Sequence, residues 1–163
     1  MTVYHAMMSS HEEQTHVGKS SLPTRAIVRT LLIVSILFYA ISLTQPAYHV
    51  VNGNPRLVYS GWNVLTIGWL GAFEGKFAWF ANPVLVSVWI FAAKGRNSRA
   101  IATASVALLL ALSFLLNRQI SVDEAGHYGQ IIHDGLGYWC WLASIALAFV
   151  AALVLRWKTR SAS

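Results

Sequence analysis

A chain of 163 residues has the length of a single domain. With 56% apolar and only 11% charged residues, against about 25% charged in soluble domains, it is too poor in charge to cover a water-facing surface, which excludes an ordinary soluble fold. The formal charge of +6 would suit a nucleic-acid binder, but the basic residues cluster at the ends of apolar runs, as in membrane proteins; the single cysteine, Cys140, excludes an internal disulfide, a paired redox thiol and a cysteine-built zinc site.

Residues 1–24 are polar and read as a disordered cytoplasmic tail, with too little apolar surface to offset the entropy of ordering. The spacing of its histidines, His5, His11 and His16, matches no metal-ligand pattern. No apolar run of signal-peptide length precedes Ala26, and the run that follows lacks a small-residue cleavage site, so it is expected to remain as the first span. The membrane domain is expected over 25–157, with spans near 26–44, 76–93, 99–117 and 135–155, and a short cytoplasmic tail at 158–163. Such runs are close to the ~20 residues that cross a core of about 30 Å at 1.5 Å per residue. Gln45-Pro46 ends the first, because proline cannot continue a helical hydrogen-bond ladder. Residues 46–61 read as a loop, since Asn52-Gly53-Asn54-Pro55 is a dense turn signal. Trp62–Phe73 is apolar and tryptophan-rich but too short to span; it is expected as an interfacial or re-entrant segment on the outer face. Residues 117–134 read as a polar connection.

The twelve Lys and Arg residues divide unevenly between the two sets of flanks. Lys19, Arg25, Arg29, Lys94, Arg96, Arg99, Arg156, Lys158 and Arg160 fall on one side; Arg56, Lys76 and Arg118 fall on the other. The positive-inside rule puts the first set, and both termini, in the cytoplasm. A fifth span through Trp62–Phe73 would place one basic cluster outside, so the count favours four. The expected architecture is all-α: an integral membrane four-helix bundle with an outer-face interfacial or re-entrant segment.

Asn82-Pro83 interrupts the second span. Proline there leaves the carbonyl near Trp79 without its helical donor, and in lipid that carbonyl must find a partner within the protein. The helix either kinks at this point or begins at it; length favours a kink. No span carries a charge at its centre, which lowers the prior for an ion-driven pump. Ser35, Tyr39, Ser42, Ser87, Thr103, Ser105, Ser113 and Ser144 are read as helix-packing residues. Glu74-Gly75-Lys76 reads as a turn. Asp123, Glu124, His127, His133 and Asp134 read as a solvated outer loop. No catalytic, phosphate-binding, dinucleotide or metal motif occurs, so no catalytic, cofactor or metal residue is assigned.

Gly68-Trp69-Leu70-Gly71, followed by Phe77-Ala78-Trp79-Phe80-Ala81-Asn82-Pro83, resembles a pattern in small uncharacterised bacterial four-helix inner-membrane proteins. Gly137-Tyr138-Trp139-Cys140-Trp141-Leu142-Ala143-Ser144 is similar to their last span. The resemblance covers roughly 30–155 and implies a bacterial inner membrane; it implies no activity.

The leading expectation is a non-enzymatic protein that binds another membrane component, a membrane protein or a second copy of itself, with the lipid bilayer as solvent and no nucleic acid. One concrete form is an immunity-type protector against a membrane-targeting toxin. The alternatives are a small transporter or channel subunit, and a membrane enzyme acting on lipid or quinone. The candidate partner or cavity residues are Trp62, Trp69, Phe73, Phe77, Trp79, Asn82 and Pro83.

Overall fold

A computed structural model of the chain describes residues 24–51, 56–121 and 127–160. The polar tail with its three histidines, the Asn52–Pro55 turn signal, and Asp123 with Glu124 lie outside the described residues. In chain order the elements are α1 (Thr24–Thr44), β1 (Pro46–Val51), β2 (Arg56–Ser60), α2 (Gly61–Ile67), 3-10 turns at Gly68–Glu74 and Ala78–Phe80, α3 (Ala81–Ala93), α4 (Asn97–Ser113) with a 3-10 turn to Leu116, β3 (Gln119–Ser121), β4 (Tyr128–Asp134) and α5 (Leu136–Arg160).

Three helices are long and apolar enough to cross a membrane: Arg25–Thr44, Asn97–Leu116 and Leu136–Trp157. Each turns large apolar side chains outward, among them Ile33 and Leu37 on α1, Leu109 on α4 and Leu153 on α5. A water-soluble bundle would carry polar residues there. The fourth apolar helical stretch, Ala78–Ala93, is shorter. It packs against α4 and α5, and α5 packs along α1 and α4.

The inward faces are built from small residues at helical spacing. On α4 they are Ala100, Ala104, Ala107 and Ala111, and on α3 they are Ala81, Leu85, Val88 and Ala92. Facing them on α5 are Ser144, Ile145, Ala148, Ala151 and Ala152, all buried. Small side chains let helix backbones approach closely, which is how helices associate where lipid removes the hydrophobic drive. Val28 and Leu32 of α1 complete the cluster of Ala92, Ala100, Ala151 and Ala152 at one end of the helices.

The other end is not the pair of loops expected from sequence. Pro46–Ser60 and Gln119–Asp134 form one four-stranded antiparallel sheet, in the order β2-β1-β4-β3. His49 pairs with Val58 across β1 and β2, and with His133 across β1 and β4. Val50 and Tyr48 are buried beneath it. The pairing of β1 with β4 brings the two connections to one end of the helices. The Lys94–Arg96 turn, the start of α1 and the end of α5 lie at the opposite end. The sheet is tied to the helices by backbone: the Gly61 N–H donates to the Gln45 carbonyl at 2.9 Å, and the Gly135 N–H to the Ala47 carbonyl at 2.7 Å. Gly61 permits this approach, since a Cβ there would run into the Ser42 carbonyl oxygen.

The second apolar stretch differs from expectation in its geometry. The α-helix does not kink at Pro83; it begins at Ala81, with Phe80 as its cap. Pro83 falls in the first turn, where a helix has no internal acceptor for the missing N–H.

Candidate functional site

Between the sheet, the Gly61–Trp79 segment and the ends of α1, α3 and α5 lies a cavity of about 110 Å³. Its walls are mostly aromatic and apolar, with Tyr48, Val64, Trp79, Phe114, Tyr138 and Trp141 prominent. The rings support one another: Tyr48 lies 5.4 Å from Phe114, Phe114 5.2 Å from Tyr138, and Tyr138 5.9 Å from Trp141, centroid to centroid. The Tyr138 hydroxyl donates to the Ala111 carbonyl at 3.1 Å, which satisfies a last-turn acceptor of α4.

Asn82 is the polar hub of this site. Its side-chain amide donates to the Trp79 carbonyl at 2.9 Å. That carbonyl lies just before the first residue of α3, and the asparagine in the first turn gives it a side-chain donor. Its Oδ1 accepts from the Trp141 indole N–H at 2.9 Å and from the Tyr39 hydroxyl at 3.3 Å. One residue thus joins α1, α3 and α5 at the cavity.

A second polar cluster lies among the same three helices. Ser35 donates to the Ser144 carbonyl at 2.8 Å and accepts from the Trp89 indole at 2.9 Å. The Ser144 hydroxyl lies 3.2 Å from that of Ser35. Tyr39 meets Trp89 edge-on at 5.6 Å. These neutral groups are paired, as buried polar groups away from water must be.

The seven residues singled out from sequence separate into two groups. Trp79 and Asn82 line the cavity. The Trp79 indole donates to the Leu65 carbonyl at 2.9 Å. Gly68 makes room for that ring, since a Cβ there would press on Trp79 Cδ1 at 2.8 Å. Of the candidate tryptophans only Trp79 turns inward, held by that hydrogen bond. Trp62, Trp69, Phe73 and Phe77 stay outside and are all exposed, Phe73 to 82%. Trp69 and Phe73 contact each other edge-on at 6.3 Å. Pro83 is exposed on α3. Sequence reasoning places Tyr39 among packing residues and Tyr138 and Trp141 within the resemblance; it does not single out Tyr48 or Phe114. For Tyr138 the available signal was an aromatic residue with a polar tip at the end of an apolar run, which usually finds a hydrogen-bond partner when buried; Phe114 carries no such signal.

Lys76 also lines the cavity, but its ammonium is paired with Glu74. On the sheet, the rings of His49 and His133 stack at 4.2 Å across β1 and β4. Burial pushes the Asp134 carboxyl above its usual range, while neighbouring His133 pulls it down. Among the described residues no group of three or more His, Cys, Asp or Glu side chains gathers where a metal could be held. No family model matches the chain, and neither does any curated protein or solved structure.

Proposed function

We propose that this chain is a four-span bacterial inner-membrane protein, with both termini in the cytoplasm, that acts without catalysis by binding another membrane component at its sheet-covered end. Ala78–Ala93 serves as the fourth span. At 16 residues it is a few ångströms short of a ~30 Å core, a mismatch that local thinning and snorkelling of flanking residues absorb at modest cost. Lys94 follows it and Phe77 precedes it, both suited to the interface. The concentration of Lys and Arg at the end away from the sheet supports the orientation.

The observation that carries the reading is the outer segment. Trp62, Trp69, Leu70, Phe73 and Phe77 expose large apolar surfaces on a short helix and a 3-10 turn, beside the sheet. Contiguous exposed apolar surface at a membrane boundary marks a contact with lipid or protein. An immunity-type protector is one concrete form of such a binder. A channel is less well supported, because the alanine-packed clusters leave the helix interior closed beyond the cavity.

Two experiments test this. Impermeant thiol labelling of Asn97→Cys in a Cys140→Ala background should fail from outside intact cells; labelling would overturn the orientation. Photo-crosslinking from positions 69 and 73 in native membranes should give a discrete adduct that Trp62→Ala with Phe77→Ala abolishes. An adduct indifferent to those changes would remove the outer-segment role.

A further inference from the structure

We propose that the cavity beneath the sheet binds one neutral, carbonyl-bearing lipophile, whose apolar part fills the space while its carbonyl oxygen accepts a hydrogen bond from Asn82. This rests on the membrane placement proposed above, and is independent of the contact role of the outer aromatic segment.

Size comes first. About 110 Å³ is far beyond the 10–15 Å³ one water needs, and approaches the ~150 Å³ of an engineered apolar cavity that takes one benzene, so it holds about five carbon atoms. An acyl-chain segment, an isoprenoid unit or part of a substituted ring fits that space. Water fits it poorly, because a buried water needs two to four polar partners and these walls are mostly rings and aliphatic groups.

Charge comes second. Among the described residues no carboxylate lines the cavity, and the one cationic residue that does, Lys76, is held by Glu74. A charged ligand would be buried without a free counter-ion, at a cost of several kcal/mol. The occupant is therefore neutral where it enters.

Hydrogen bonding comes third. A primary amide offers two donors and two acceptor lone pairs. Asn82 uses both lone pairs, on Trp141 and Tyr39, and one amide hydrogen, on Trp79. Its second amide hydrogen has no acceptor among the described residues, and Asn82 lines the cavity. A donor in an apolar wall calls for an acceptor on the ligand, and the neutral acceptor common to membrane lipophiles is a carbonyl oxygen. Two sources share it, the ester of an acyl lipid and the ring carbonyl of a quinone.

The test uses the full chain purified in detergent, with Val64→Phe and Ile120→Phe as separate cavity-filling variants and Leu109→Phe, on the exposed face of α4, as control. Organic extraction with mass spectrometry measures what each retains. The unfolding temperature is read with and without decylubiquinone or dioctanoyl phosphatidylglycerol. Wild type and Leu109→Phe should retain about one equivalent of quinone or ester lipid, and a filling variant that still unfolds cooperatively should retain at least ~10-fold less. The probe of the retained class should raise the unfolding temperature of wild type alone, which also identifies the source. Equal retention by a folded filling variant would overturn the proposal, as would occupation by detergent chains only with no response to either probe. Failure here with an intact crosslink from position 69 leaves the partner reading standing, and the reverse outcome leaves this one.

Discussion

The two ends of the helices solve the same packing problem with opposite residues. At the end that carries Lys94, Arg96 and Arg99, buried Ala92, Ala100, Ala151 and Ala152 bring three helices close, and Val28 and Leu32 of the first helix pack against them. At the sheet end the large rings of Tyr48, Phe114, Tyr138 and Trp141 hold the elements apart. Small residues let helix backbones approach closely, whereas a few rigid rings propped against a sheet leave a gap. The apolar cavity lies at the end where two connections have folded over the helices.

That contrast makes its strongest prediction for side-chain enlargement. Ala104→Leu, in the closed part of the bundle, should destabilise by about 3 kcal/mol through overpacking, while Val64→Phe at the cavity should cost far less, even with the loss of a bound lipophile. Thermal unfolding in one detergent, followed by fluorescence, checks both; equal losses would erase the distinction between the ends.

Next in size is the hub that floors the cavity. Asn82→Leu removes the partners of the Trp79 carbonyl, the Trp141 indole and the Tyr39 hydroxyl. At about 0.6 kcal/mol for each hydrogen bond within a membrane bundle, the loss should be about 2 kcal/mol. Unfolding by graded denaturing detergent measures it, and a wild-type midpoint would show that the three bonds carry no weight.

Ser35→Ala should cost less, about 1 kcal/mol, because it removes the bonds to the Ser144 carbonyl and from the Trp89 indole but leaves the Asn82 hub intact. A loss as large as that of Asn82→Leu would place the polar centre of the fold deeper than the cavity.

The smallest effect belongs to Asp134 on the sheet. Burial raises its carboxyl above the ordinary carboxylate value of 3.8, so the folded state holds the proton more tightly than the unfolded state does. Stability from this group is complete below pH 3.8 and is lost as pH rises through the folded value. Asp134→Asn should therefore give a slightly higher unfolding temperature than wild type at pH 7, and the gap should close toward pH 3.8. A gap that widens on acidification would reverse the assigned cause.

Three of the long apolar helices were legible directly, because sustained hydropathy needs no knowledge of partners. The break at Asn82-Pro83 was legible as well, because proline's missing N–H is a local fact; that the helix begins there instead of kinking was not. That Asn82 pairs the Trp79 carbonyl was not legible either, since its rotamer depends on Trp141 and Tyr39, which are distant in sequence. The sheet was half visible. Tyr48–Val51 and Leu57–Tyr59, with β-branched and aromatic residues on either side of Asn-Gly, carry a hairpin signal, but the turn residues were read as a loop. The partner strand β4 lies about eighty residues further on, and no local pattern announces that pairing.

By itself the sequence determined the charge-poor composition, the three long apolar helices and the segregation of basic residues, because composition and hydropathy act residue by residue. Only the tertiary structure decided that the two connections form one sheet, that Trp79 turns inward while Trp69 and Phe73 stay out, and that a cavity remains above Asn82. Those outcomes depend on hydrogen bonds and ring contacts between residues far apart in the chain, and such pairs exist only once the helices have brought them together.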